Sequence, residues 1–295
     1  LGLLHWMACW SGDILHAYAI AGLLLLLVRR WRSSSLLVAG LLLAVTARPV
    51  IGRLPSLLGL WSAPPTDLAM RLQTFQFGSF ADIVRLQFVN DVLPDFASGA
   101  LLAAIVHALG RFMVGVAISR GGYLADPAAF RRPLTLIATA GLITGFVAQH
   151  DWVMSRWLAH GWLQLSAPAA AFAGHLCNSF GVVAMTTGYI ALFGRLWIIP
   201  PIQRVLRLPA AAGRMALTNY LAQTLVNYWL FCGFGLGLMG RIGIVFCIPL
   251  SIAVFGLQML ISSRWLGSHT MGPAEWLWRW WTYGTRPALR ISRSV

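Results

Sequence analysis

Residues 92–118 read VLPDFASGALLAAIVHALGRFMVGVAI. Most positions are apolar, and the run of 27 residues exceeds the roughly 20 that a helix needs to cross a bilayer. His107 and Arg111 interrupt it, one helical turn apart on the same face. A buried helix of a soluble protein has no reason to be this long and this oily. The stretch therefore predicts a membrane span with two polar groups turned toward other helices.

Six similar runs accompany it, at about 12–30, 34–52, 133–150, 169–193, 214–233 and 241–261. Backbone groups inside lipid must be satisfied within their own segment, which leaves helices as the assignment. No period-two alternation suggests a barrel. The composition agrees: 295 residues, 58% hydrophobic and only 10% charged, with a mean hydropathy of +0.73. Soluble domains carry about 25% charged residues. Disorder, collagen and a soluble enzyme are excluded. The fold class expected is all-α: a polytopic transmembrane bundle of about seven spans, forming one membrane domain over residues 1–295.

All 22 basic residues are Arg, against 8 acids, for a net charge of +14. Such an excess marks either nucleic-acid binding or cytoplasmic loops. Placing the residues decides for loops. Arg29, Arg30, Arg32, Arg120, Arg131, Arg132, Arg195, Arg204, Arg207, Arg214 and the arginines after residue 261 fall on one side of the alternating spans. Arg48, Arg53, Arg71, Arg85, Arg156 and Arg241 fall on the other, with Asp13, Asp67, Asp82, Asp91, Asp95 and Asp151. The positive-inside rule then expects a multi-pass membrane protein with a cytoplasmic C-terminus. Its partner is the bilayer, with no nucleic acid; the sequence does not fix an oligomer. The opening LGLLHWMACW lacks a basic n-region, so it does not read as a signal peptide.

The connection at 53–91 is expected to be an extracytoplasmic loop region broken by Pro55, Pro64 and Pro65. Phe75, Phe77, Phe80, Ile83, Leu86 and Phe88 read as an interfacial spacer in preference to a lid. Residues 271–284 hold Trp276, Trp278, Trp280, Trp281 and Tyr283 beside Arg279. Indole and phenol rings favour the headgroup level, which predicts a cytoplasmic interfacial helix. Anchoring is the simpler role for Glu275, Trp276 and Arg279.

Polar groups inside spans are costly and face a bundle interior or a cavity. His175, Asn178, Ser179, Thr186 and Tyr189 share one arc of the 169–193 span, next to a strip of Gly174, Gly181 and Gly188. Asn219, Gln223 and Asn227 recur every fourth residue in the 214–233 span, flanked by Tyr220. Two such stripes, with His107 and Arg111, suggest a shared cavity; taken singly, each residue also reads as helix-to-helix glue. Asp13 and His16, three apart, share a helical face, and a carboxylate orienting an imidazole is a general-base arrangement. The four cysteines lie far apart in apolar runs without metal-type spacing, and no metal site is expected. No phosphate-binding loop, HExxH or GxSxG motif occurs.

Gly213–Gln223, GRMALTNYLAQ, closely resembles the signature of the domain of unknown function 418 family, the YeiB-like bacterial membrane proteins. The opening LGLLH with Gly12-Asp13-Ile14-Leu15 and Tyr18-Ala19-Ile20 resembles the same family. So do Gly110-Arg111-Phe112 and the ending Gly272-Pro273-Ala274-Glu275-Trp276-Leu277-Trp278-Arg279, where Ala274 replaces the usual Leu. The resemblance spans the chain in order. It implies a bacterial inner membrane and an earlier first helix, with about three helices expected upstream of Leu1. The family is remotely similar to multi-helix membrane acyltransferases, which implies transfer of an acyl group to a lipid, sugar or small-molecule acceptor. Acyl-CoA would be the co-substrate, its phosphates held by Arg204, Arg207 and Arg214. His175, or His16 oriented by Asp13, would be the base, and Asn219 or Tyr220 would position the carbonyl. A small-molecule or lipid exporter and a non-catalytic partner subunit are the alternative readings.

Overall fold

A computed structural model describes residues 1–52, 59–60, 62, 67–150, 156–157 and 164–291. Arg53, Pro55, Pro64, Pro65, Asp151 and Arg293 lie outside the described residues. Every regular element among those described is helical. The only β feature there is an isolated antiparallel bridge between His269 and Arg290.

In chain order the helices are α1 (Gly2–Ala8), α2 (Leu15–Val28), α3 (Ser33–Ile51), α4 (Leu68–Phe77), α5 (Phe80–Gln87), α6 (Leu93–Ala97), α7 (Ala100–Arg120) and α8 (Arg131–Ala148). They continue as α9 (Ala167–Trp197), α10 (Pro200–Leu206), α11 (Ala210–Arg214), α12 (Ala216–Phe231), α13 (Ile244–Leu266) and α14 (Pro273–Tyr283). All seven expected spans are present as helices. Among the described residues, four helices are long and apolar enough to cross a membrane: α3, α7, residues Ala169–Trp197 of α9, and α13. The 14-residue α2 and 16-residue α12 rise about 21 and 24 Å at about 1.5 Å per residue, short of a hydrocarbon core of about 30 Å.

Two boundaries differ instructively from the sequence expectation. The run at 92–118 is broken before Ala100. Phe88–Val92 forms a π-turn, Pro94 opens α6, and Gly99 adopts a left-handed φ of 76° that starts α7 afresh. The 53–91 connection, expected as loop, contains α4 and α5. Asp67 caps α4 through the Met70 amide at 2.9 Å. Ser79 and Asp82 cap α5 reciprocally, and those Ser79 hydrogen bonds hold the Asp82 carboxyl below its usual range.

The chain forms two compact units. The first comprises residues 1–65 and 87–200. Within it α3 and α7 run antiparallel and cross at Gly40 and Gly110. A Cβ on Gly110 would sit 2.5 Å from the Ala44 nitrogen and 2.7 Å from the Gly40 carbonyl, so only glycine permits this approach. Leu36, Met113 and Ala117 fill the crossing. Helices α8 and α9 close the same way: a Cβ on Gly188 would lie 2.8 Å from the Leu142 nitrogen. In lipid, where apolar contact between helices gains little over contact with acyl chains, such close packing drives association.

The second unit comprises residues 66–86 and 201–295. Gln76 of α4 donates to the Met239 carbonyl at 2.7 Å, and the Gly233 amide donates to Phe75. Gln223 of α12 donates to Gln258 of α13 at 2.9 Å, and Gln258 donates to the Asn219 carbonyl.

Both units turn large apolar side chains outward. Leu27, Val38, Leu42, Ile143 and Phe146 do so in the first, and Ile244, Val245, Ile252 and Leu257 in the second. Water would penalise that surface, whereas a bilayer does not. The chain is a membrane protein.

A pair of glycine substitutions tests the packing. Gly110→Leu should lower the thermal midpoint of the detergent-solubilised protein, at a cost of about 1–3 kcal/mol for overpacking. Gly115→Leu, where nothing lies within 4 Å of the added Cβ, should leave it nearly unchanged. Equal behaviour of the two variants would refute the crossing.

Candidate functional site

The turn between α1 and α2 places a buried carboxylate among histidines. Helix α2 has no side-chain cap from its N-cap residue Ile14, and Asp13 instead accepts the Leu15 amide at 3.1 Å through Oδ2. Its Oδ1 accepts from His5 Nδ1 at 3.0 Å, and Oδ2 faces His16 Nδ1 at 3.5 Å. Asp13 is only 5% exposed. A carboxylate this buried is tolerable because each oxygen has a donor. The Trp6 ring stacks on His16 at 4.3 Å, and its Nε1 donates to the Ser11 carbonyl. Ser11 in turn donates its hydroxyl to Asp91 at 2.8 Å and its amide to Gln87.

This turn forms one wall of a cavity of about 510 Å³ within the first unit. The C-terminal end of α3, helix α6 and the first half of α7 supply the others. Besides Asp13 and His16, its lining includes Arg48, Asp95, His107 and Arg111. His107 Nδ1 donates to the Ala44 carbonyl at 2.8 Å, which fixes the ring and leaves Nε2 as the second nitrogen. Burial, aided by the neighbouring Asp91 charge, pushes the Asp95 carboxyl above its usual range, against a smaller opposing effect of His16. With Nδ1 of His16 turned to Asp13, its Nε2 is the atom that can take a proton. Among the described residues, no cluster of three His, Cys, Asp or Glu side chains is arranged to hold a metal ion.

Asp13, His16, His107 and Arg111 are thus brought together, although the sequence placed them in separate spans. The other expected site residues lie elsewhere. His175 and Asn178 are on α9 and do not line this cavity; Asn178 donates to the Gln149 carbonyl at the end of α8. Asn219 donates to Ala212 and to Ser262. Gln223 and Asn227 line a smaller cavity of about 200 Å³ with Cys247 and Ser251. Tyr220 is half-buried on α12. Arg204 and Arg207 are exposed, and Arg214 donates to the Thr270 carbonyl. The two polar stripes fall in different units. Three residues of the cavity region were not singled out as site residues: His5, Arg48 and Asp95. Their signal was present, since Arg48 and Asp95 are charges at the ends of apolar runs.

The second unit has its own polar knot. Glu275 accepts the Leu217 amide at 2.7 Å, the Thr218 amide at 3.1 Å and the Thr218 hydroxyl at 2.5 Å. Thr218 Oγ1 then accepts the Ala274 amide. A carboxylate on the first amides of α12 satisfies groups the helix cannot satisfy itself and complements its dipole. Trp276 Nε1 donates to the Pro287 carbonyl, and the Arg286 guanidinium lies 5.2 Å from the Trp276 ring. Arg279 is exposed on α14.

Two substitutions check these assignments. Glu275→Ala should cost about 0.5–2 kcal/mol, the range for loss of a helix cap, read as a lower thermal midpoint. Asp95→Asn removes a carboxyl whose charged form burial disfavours. Because the folded state holds that proton more tightly, the variant should be more stable than wild type at neutral pH. The gain should fade as pH falls toward the ordinary carboxylate range. A gain that grew with acid would contradict the burial argument.

Residues 118–285 match the family described as Protein of unknown function (DUF418). The chain is 30% identical to uncharacterised protein YxaH of Bacillus subtilis (strain 168), over 96% of this chain and 69% of that protein. It is 31% identical to uncharacterised protein YeiB of Escherichia coli (strain K12), over 95% of this chain and 72% of that protein. An uncharacterised 39.9 kDa protein of Bacillus acidopullulyticus is 37% identical over 37% of this chain and 31% of its own length. No solved structure matches.

Proposed function

This chain belongs to the DUF418 family, and on that premise we propose that it is an integral membrane acyltransferase. It moves an acyl group from a thioester donor to a hydroxyl or amine of a lipid, sugar or small-molecule acceptor. The observation that carries this reading is His16, bound to a buried carboxylate, on the wall of a cavity that also presents Arg111. A base, a group that orients it and a cation for developing negative charge are what acyl transfer needs.

The step runs as follows. His16 Nε2 takes the proton of the acceptor hydroxyl as its oxygen attacks the thioester carbonyl. The carbonyl π electrons move onto oxygen, and the Arg111 N–H groups stabilise that oxyanion. The oxyanion collapses, the carbon–sulfur bond breaks, and the leaving thiolate takes the proton from the His16 imidazolium. Ester and thiol are the products, and His16 returns to its neutral form. Asp13 holds the ring in the productive tautomer throughout. Acyl-CoA is the proposed donor.

The proposed setting is a bacterial inner membrane crossed several times, with the C-terminus cytoplasmic. The arginine distribution supports it. The cavity residues then belong to the extracytoplasmic ends of α2, α3 and α7, so the acceptor enters from outside.

The full-length protein, reconstituted and supplied with labelled acyl-CoA esters, tests the reading. Asp13→Asn and His16→Gly should each lower transfer by about 10²–10⁴-fold, the usual worth of a positioned base. Added imidazole should restore part of the His16→Gly rate. Wild-type transfer by the double variant would overturn the assignment.

A further inference from the structure

Two guanidinium groups line the cavity without a partner. Among the described residues, neither Arg48 nor Arg111 pairs with a carboxylate, and neither donates a hydrogen bond. Arg111 sits near the middle of α7, a helix apolar enough to cross a membrane, where an arginine is costly. No described side-chain nitrogen or oxygen is sealed from cavity and solvent without a partner, so the free nitrogens of Arg111 open onto the space they line.

Asp13 is committed: His5 takes one oxygen, and the Leu15 amide and His16 take the other. Asp95 is the other carboxylate on the wall, and among the described residues it pairs with neither Arg48 nor Arg111. The arrangement along the wall is ordered too. The His107–Ala44 bond marks one level of the antiparallel α3–α7 pair. Arg48 lies one turn beyond Ala44 toward the end of α3, and Arg111 lies one turn beyond His107 in the opposite direction. The order is Arg48 at the mouth, His107, then Arg111 at depth.

We propose that this cavity binds an oxyanion of the phosphate class between Arg48 and Arg111, with His107 between them. Guanidinium forks match phosphate oxygens in pairs, and an anion here would meet two forks that nothing else occupies. The phosphate is either the headgroup of a membrane lipid or a soluble phosphate. That the bound anion is carried by the acceptor rests on the transferase reading; the binding itself does not.

Equilibrium binding to the full-length protein in neutral detergent tests the proposal without any turnover. The probes are inorganic phosphate, phosphatidylglycerol and, as a lipid without phosphate, diacylglycerol. Wild type should bind phosphate, phosphatidylglycerol or both. Phosphatidylglycerol alone identifies a lipid source, and phosphate alone a soluble one. Arg111→Gln should weaken that binding about tenfold to a hundredfold, the worth of a charged hydrogen bond. Arg48→Gln, at the exposed mouth, should weaken it in a protein whose thermal midpoint is unchanged. Arg111→Lys should recover only part of the loss, because it restores charge but not the fork. Binding of neither anion, binding indifferent to Arg48→Gln and Arg111→Gln, or equal binding of diacylglycerol would overturn the proposal. Arginine-dependent anion binding in a protein that transfers no acyl group would sink the transferase reading and leave this one standing.

Discussion

The close crossing of α3 and α7 at Gly40 and Gly110 is the constraint on which the first unit depends. It brings the Ala44 carbonyl within 2.8 Å of His107 and so fixes an imidazole inside an otherwise apolar pair. Once His107 is placed, helical spacing places Arg111 one turn away, and Ala44 places Arg48. A side chain larger than hydrogen at Gly110 would separate the two backbones and move all three groups at once. Packing and chemistry are therefore not separable here. The residue that permits the contact carries no functional group, and the functional groups have no freedom apart from it.

The bundle was legible in the sequence because each long apolar run has only one stable outcome in lipid. The number of true spans was less legible, since α2 and α12 are apolar but end early. The start of α7 was misplaced by hydropathy alone: Pro94 and Gly99 fit an apolar run yet restart the backbone. Half of the site could be read. Spacing paired Asp13 with His16 and His107 with Arg111, because those partners lie on one helix. The contact of Asp13 with His5 and the meeting of the two pairs across α2 and α7 could not be read, since period gives a face but not what faces it. The same limit explains Asn219 and Gln223. Their stripe is real, but Ser262 and Gln258 on α13 take up those amides, which makes them cross-links between helices.

The two most recognisable strings in the chain, at 213–223 and 272–284, are two halves of one contact. Glu275 reaches back to the first amides of α12, and Thr218 answers the Ala274 amide. Gly272 is needed because a Cβ there would collide with the Glu275 carboxylate and with Thr218 Oγ1. Sequence distinctiveness in this region is accounted for by geometry at a helix end, and it needs no chemistry beyond that.

His5, Asp13 and His16 share two carboxylate oxygens among three ionisable groups. His5 does not line the cavity, yet it holds the carboxylate that orients His16. A change at His5 would release one carboxylate oxygen and let Asp13 turn away from the cavity-facing ring. The imidazole open to the ligand is thus aimed by one buried behind it.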